Sequence, residues 1–267
     1  MKLRILDVTE NNLNDFIKIC TPTIDNKAIE IGIKEKIKWC IEILNKYHFI
    51  GKIAYIKDKP IAQIQYYPDE ADPLGQKRSD IIVLHCIYNP NPKYQKKGIA
   101  TKLVQSLITD LKRNNKYRFI ASYAFETGEY LSQHKFLTQI GFKPLNKEDV
   151  YYSLRGEELK NYRPFSIWRE TREEYIPLQE DKGKAIIFYT PTCQVGYVFA
   201  YRTAQKLREI KPDISIKLVN YWRNPEELAK RGKNWMIVNA KPIYSNPYTE
   251  PAKFKKEIKQ ALKNNLS

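Results

Sequence analysis

At 267 residues the chain is long enough to bury a large core and to divide into two domains. Its 42% hydrophobic and 28% charged residues exclude wholesale disorder, and no run of about 18 apolar residues is present to cross a bilayer. Lysine and arginine exceed aspartate and glutamate by 46 to 30, a formal net charge of +16 that suits a phosphate-rich cofactor, nucleic acid, or simply a lysine-rich solvated surface.

The N-terminus, Met1-Lys2-Leu3-Arg4-Ile5-Leu6-Asp7, has neither a long apolar stretch nor a small-residue cleavage site, so the expected compartment is the cytoplasm. Cys20, Cys40, Cys86 and Cys193 form no Cys-x-x-Cys pair, and only His48, His85 and His134 accompany them; neither a metal site nor a disulfide framework is expected. In chain order, residues 1–8 read as a strand, and Thr9-Glu10-Asn11-Asn12 caps a helix carrying Leu13, Phe16, Ile17 and Cys20 that breaks at Thr21-Pro22-Thr23. A second helix runs from about Asp25 or Ala28 to Tyr47. Phe49 to Ile56, a turn at Lys57-Asp58-Lys59, and Pro60 to Tyr67 form a hairpin. Asp69 to Ser79 reads as a polar loop whose Pro73 and Gly75 suit turns and mobility near a pocket mouth.

The apolar run Ile81-Ile82-Val83-Leu84-His85-Cys86-Ile87-Tyr88 reads as a central strand. It leads into Gln95-Lys96-Lys97-Gly98-Ile99-Ala100 and an amphipathic helix, Thr101 to Arg113, with Leu103, Val104, Leu107, Ile108 and Leu111 at helical spacing. Gly98 and Ala100 leave no bulky side chain over the first helical turn. Backbone N–H groups there, with the positive end of the helix dipole, make an anion site. Tyr117 to Phe125 gives the next strand, Glu129 to Ile140 a helix stopped at Gly141, and Val150 to Leu154 a last strand.

Gln95-x-x-Gly98-x-Ala100 after a strand resembles the acyl-CoA loop, Gln/Arg-x-x-Gly-x-Gly/Ala, of the GNAT N-acetyltransferase superfamily. The preceding hairpin, the following strand, and the helix ending Gln139-Ile140-Gly141-Phe142 fit the same order, over roughly residues 1–155. The resemblance implies an α/β (α+β) GNAT acyl-CoA N-acyltransferase fold for residues 1–155, with acetyl-CoA as co-substrate. Behind Gln95, the amides of Lys96, Lys97, Gly98, Ile99 and Ala100 would hold the pyrophosphate, with Thr101 able to add a hydroxyl. The backbone of Cys86, Ile87 and Tyr88 would pair with pantetheine where this strand and the next splay apart. The first two helices would overlie the acceptor, and Trp39, Tyr47 and Tyr67 are candidates to line its pocket.

In such enzymes an amine attacks the thioester directly, and positioning carries much of the acceleration. The tyrosine that commonly protonates the leaving thiolate falls at Leu137, which cannot donate a proton, and Tyr130 occupies the usual asparagine position. Tyr123 or Tyr130 would substitute, unless the thiolate leaves unaided. His85, on the central strand, is the preferred candidate base, against the alternative of a hydrogen-bonded core histidine; Glu126 is the second candidate, and a water relay would need neither.

Residues 156–182, charged and containing Pro164 and Pro177, read as a connector, partly packed through Phe165 and Trp168. From residue 183 onward come a buried strand, Lys184 to Tyr189, a helix from the Thr190-Pro191-Thr192-Cys193-Gln194-Val195-Gly196 segment to about Ile210, a strand Ile214 to Tyr221, a helix Pro225 to Lys230, a hairpin Trp235 to Ile243, and an amphipathic helix Pro251 to Leu262. This order resembles a smaller thioredoxin-like α/β domain, and the combination resembles YoaP-like GNAT proteins. Cys193 then sits at the position of the nucleophilic cysteine, at a helix N-terminus. Gly196 replaces the resolving cysteine, so intramolecular disulfide exchange is excluded, leaving a monothiol function or a degenerate binding domain. The expected activity is acetyl transfer to a primary amine, with a small-molecule acceptor favoured over a protein. The alternatives are a non-catalytic module that binds CoA or another ligand, and a nucleic-acid-associated acetyltransferase using the +16 charge.

Overall fold

The computed structural model describes residues 2–21, 27–124, 132–167 and 173–263. The chain separates into two compact units, one of Met1–Thr23 and Ile37–Phe165, the other of Ile24–Lys36 and Ser166–Ser267.

The first unit is built on a seven-stranded sheet of β1 (Leu3–Asp7), β2 (Gly51–Ile56), β3 (Lys59–Pro68), β4 (Ile81–Tyr88), β5 (Phe119–Tyr123), β6 (Lys143–Pro144) and β7 (Asp149–Ser153), in the order β1-β2-β3-β4-β5-β7-β6. All neighbours are antiparallel except β4 and β5. The β2–β3 loop is two residues, not three, because Ile56 pairs with Lys59. Lys57 and Asp58 have φ of 48° and 60°, the backbone of a type I′ turn, whose twist matches that of the strands it joins. Helix α1 (Leu13–Ile19) packs on β2 and β3; the Thr9 N–H donates to Asn12 Oδ1 at 2.8 Å just before it.

One face of the sheet buries Ala54, Ala62, Ile64, Tyr66, Ile82 and Leu84 against Ile99, Leu103, Val104, Leu107 and Leu111 of α3 (Ile99–Arg113). The amphipathic spacing of α3 thus creates the layer that carries its N-terminus. Lys52 is almost fully buried on this side, with Nζ 2.5 Å from both Asp7 and Asp110. Burial works against its charge, but hydrogen bonds to Asp110 and Asp7 raise its pKa on balance. A second cluster joins Ile81, Phe119, Ala121 and Tyr151 to Leu159 and Tyr162, so the chain beyond Leu154 stays packed on this sheet.

The Asp69 to Ser79 segment differs from the expected mobile loop. Asp69 and Asp72 are buried; Asp69 accepts from the Tyr162 hydroxyl at 2.6 Å and the Arg78 N–H at 2.8 Å, and Asp72 accepts from the Leu74 N–H at 3.0 Å. These side chains knot the β3–β4 connection to the sheet. Helix α4 (Gln133–Gln139) follows Ser132, whose hydroxyl caps the Lys135 N–H at 3.3 Å; the expected start at Glu129 lies outside the described residues. Its end is as read, since Gly141 has φ of 98° and the Phe142 and Gly141 N–H groups donate to the carbonyls of Leu137 and Thr138 at 3.0 and 3.2 Å.

The second unit has a four-stranded sheet in the order β11-β10-β8-β9, from β8 (Lys184–Tyr189), β9 (Ser215–Asn220), β10 (Met236–Val238) and β11 (Lys241–Pro242). Strands β8 and β9 are parallel; β10 is antiparallel to both β8 and β11. Helices α5 (Gln194–Ile210), α6 (Pro225–Ala229) and α7 (Pro251–Leu262) complete the βαβαββα order. The long helix α2 (Lys27–Tyr47) is divided, with its residues up to Lys36 counted in the second unit and the remainder in the first.

Candidate active site

The site begins where a β-ladder ends. Strand β4 pairs with β5 only at Ile81, Ile82 and Val83, opposite Phe119, Ile120 and Ala121, although β4 continues to Tyr88 and β5 to Tyr123. Beyond that point the arm from Leu84 to Tyr88 is paired to β3 alone. Ser122, fully buried, seals the fork: its hydroxyl donates to the Leu84 carbonyl at 2.8 Å and accepts from Gln133 Nε2 at 3.1 Å. The sequence reading did not single out Ser122. A hydroxyl inside the apolar run Phe119-Ile120-Ala121 was the available signal.

The open arm is also bulged. Gln65 pairs with Cys86 but Tyr66 with Leu84, so His85 is the extra residue. The α3-side cluster accordingly takes Ile82, Leu84 and then Ile87, a break in strict alternation that re-aims the residues between. His85 is half-exposed, and its ring lies 5.8 Å from that of Tyr67, which packs edge-on to Trp39 at 5.7 Å. Cys86, Ile87 and Tyr88 are half-buried along the same arm. Gln63 and Gln65, paired across from this arm, are buried glutamines that apolar-run reasoning passed over.

Between the arm and α3 the chain is folded by its own amides. Gln95 Nε2 donates to the Asn89 carbonyl at 2.9 Å, Asn89 Nδ2 donates to the Tyr94 carbonyl at 3.1 Å, and Asn91 Oδ1 accepts from the Lys93 N–H at 3.0 Å. The side chain of Gln95 therefore braces the loop. Lys96 and Gly98 have φ of 55° and 71°, and Gly98 is the N-cap of α3. The first α-helical bond runs from the Lys102 N–H to the Gly98 carbonyl at 3.0 Å, so the amides of Ile99, Ala100 and Thr101 have no carbonyl to meet inside the helix. Ile99 is buried and anchors the turn, Ala100 and Thr101 are half-buried, and Lys96, Lys97 and Gly98 are exposed. A Cβ at Gly98 would meet nothing within 4 Å. The glycine serves the left-handed backbone, and the space above it is open. Lys93 and Lys97 hold their ammonium groups 5.8 and 5.9 Å from the Tyr94 ring, adding positive charge beside the loop.

Among the other expected residues, Tyr123 ends β5, on the opposite arm of the fork from His85, and is half-exposed. Leu137 is wholly buried in the α3-side core. Glu126 and Tyr130 lie outside the described residues, as does Trp168. Cys193, in the second unit, is the half-exposed N-cap of α5. Gly196, in the first turn of α5, is there for space: a Cβ would lie 2.6 Å from the Thr190 carbonyl oxygen. Among the described residues no group of three or more His, Cys, Asp or Glu side chains is placed to hold a metal ion. No helix among them is long and apolar enough to cross a membrane.

Residues 18–142 match the family model described as "Acetyltransferase (GNAT) family". Among solved structures, the chain is similar to an N-acetyltransferase from Staphylococcus aureus Mu50 (17% identity, 58% of this chain and 100% of that one, TM-score 0.44). It is also similar to the PaiA N-acetyltransferase from Thermoplasma acidophilum in complex with coenzyme A (17%, 57% and 97%, TM-score 0.42). A third is a GNAT family acetyltransferase from Brucella melitensis in complex with acetyl-CoA (14%, 61% and 94%, TM-score 0.40). A comparison with curated proteins finds no match. Over residues 18–142, just under half of its length, the chain matches the GNAT acetyltransferase domain.

Proposed function

We propose that the first unit transfers an acetyl group from acetyl-CoA to a primary amine of a small-molecule acceptor. The observation that carries this reading is the left-handed Gly98 opening α3, with open space above it, next to a β4 arm from which β5 has parted. The anionic end of acetyl-CoA suits the amides of Lys96 to Ala100 and the Thr101 hydroxyl, with Lys93 and Lys97 nearby. The Cys86, Ile87 and Tyr88 backbone, paired on its β3 side, suits an extended pantetheine with its other edge.

Acetyl-CoA supplies the activated thioester; this chain's residues align it and manage the protons. His85, re-aimed by the bulge, is the proposed base that takes a proton from the incoming amine. Tyr123, on the facing arm, is the proposed acid for the thiolate. Glu126 and Tyr130 remain the alternatives for these two roles. A non-catalytic CoA-binding module is the second reading, favoured by the apolar core position of Leu137. Acetyl-CoA consumption measured against an amine panel separates the two: turnover with at least one amine is expected, and CoA binding without turnover on any would favour the module.

For the second unit we propose a thioredoxin-like identity. The parallel β8–α5–β9 half followed by antiparallel β10 and β11, with Cys193 at the start of α5, supports it. The proposed compartment for the whole chain is the cytoplasm.

A further inference from the structure

The second unit includes a segment from far upstream, Ile24–Lys36, of which residues 27–36 are described. Residues 27–36, separated from the rest of that unit by all of residues 37–165, pack where β8 and β9 both end. Ala28 and Ile29 are buried against Val198, with Ile33, Tyr197 and Tyr201 around them. Glu35 accepts from Asn220 Nδ2 at 2.8 Å and from the Tyr189 hydroxyl; Tyr189 and Asn220 are the last residues of β8 and β9. Gly32 meets the backbone of Gln194, the first residue of α5, so closely that a Cβ would lie 2.2 Å from its carbonyl oxygen.

Positions 28, 32 and 35 recur at i, i+4 and i+7, one face of a helix. Glycine inside a helix is unfavourable relative to alanine, and here the close approach to Gln194 accounts for it. The surface it meets is the carboxyl end of the parallel β8–β9 pair, and in open α/β sheets ligands ordinarily bind beyond that end of the strands. In this unit that end carries Cys193 and already holds a helix of the same chain.

We infer that the Cys193 end of the second unit is a helix dock whose occupant is residues 27–36, and that the unit works by holding this helix rather than by thiol–disulfide exchange. The partner chemistry is legible in the contacts. A small residue meets the α5 backbone, an apolar pair meets Val198, and an acid three residues after the small one is gripped by an amide and a phenol. The second glycine, Gly196, agrees with this role, because the crowding against Thr190 leaves no room for a resolving thiol.

The test uses the full chain, with hydrogen exchange read segment by segment and N-ethylmaleimide labelling read at individual cysteines. Gly32→Leu favours helix intrinsically, so any loss comes from undocking. It should speed exchange of residues 27–36 at least tenfold and raise the labelling rate of Cys193 similarly, with β8 exchange and Cys86 labelling unchanged. Asn220→Ala, which leaves α2 untouched, should do the same more weakly. Unchanged exchange of residues 27–36 in both variants would overturn the inference, as would an unchanged Cys193 rate. Loss of β8 protection in step with residues 27–36 would also overturn it, because the segment would then be core of the unit and not its occupant.

Discussion

Two junctions in this chain share a plan, a parallel strand followed by a turn and the N-terminus of a long helix, and differ in what surrounds the first helical turn. At the β4–α3 junction, Gly98 is left-handed and faces open space, and the strand behind it has been bulged and released by its neighbour. At the β8–α5 junction the strand stays in register with β9 to its last residue, Gly196 is jammed against the Thr190 carbonyl, and Gly32 presses on Gln194. Both helices open with amides that lie ahead of the first i to i−4 helical bond. Only the first leaves space for a ligand to reach them, so a glycine near a helix start signals a site when its absent side chain leaves a vacancy and signals packing when it permits a contact.

The sharpest way to break this contrast is through chemistry. If acyl transfer belongs to the junction whose strands part, His85→Gln should lower kcat by roughly 100-fold, as loss of a general base does. Cys193→Ser should leave kcat and KM unchanged. An equal loss in both variants, measured as acetyl-CoA turnover with a responsive amine, would erase the distinction.

A second contrast concerns pH. Burial, with Asp69 alongside, pushes the Asp72 carboxyl up to about 7 in the first unit. In the unfolded chain this group ionises near 3.8, as an ordinary aspartate does. Its contribution is therefore fully present below the unfolded value and lost as pH rises toward 7, up to roughly 4 kcal/mol of first-unit stability. In the second unit the carboxyls with resolved shifts move the other way: Glu227, Asp213 and Glu250 are lowered by lysine and arginine partners, Glu227 against the opposing effect of burial. Hydrogen exchange of each sheet between pH 4 and 7 should show first-unit stability falling with a slope that Asp72→Asn removes. Retention of the slope in that variant would assign it elsewhere.

The smallest expected effect tests the packing glycine. Gly196→Ala forces the Thr190 carbonyl to shift and should destabilise the second unit by about 1–3 kcal/mol in urea, as overpacking does, despite alanine's better helix propensity. Gly98→Ala, with no neighbour to strike, should cost only the left-handed strain of about 1–2 kcal/mol.

Much of the architecture could be read from local signals. The boundaries of α7 at Pro251 and Leu262, the stop of α4 at Gly141 and the amphipathic α3 all rest on propensity, capping and periodicity, which act within a few residues. The strand, turn and helix around Gly98 were legible for the same reason, since a glycine ahead of an amphipathic run announces a helix start. The bulge at His85 was not, because register depends on the partner strand. Asp69 looked like a solvated loop residue, because its burial depends on Tyr162 and Arg78 being folded over it. The division of α2 was equally hidden: its apolar positions serve two units, and a single helical period does not reveal two partners.

The central claim, that main-chain donors at an unobstructed left-handed glycine hold the diphosphate of acetyl-CoA, is tested most directly by titrating CoA into the full chain and its Gly98→Val variant in a calorimeter. Saturable binding by the parent chain and at least tenfold weaker binding by the variant, with the thermal midpoint shifted by only a few degrees, is the predicted result. Equal affinity in the two proteins, or no binding heat in either, would contradict it.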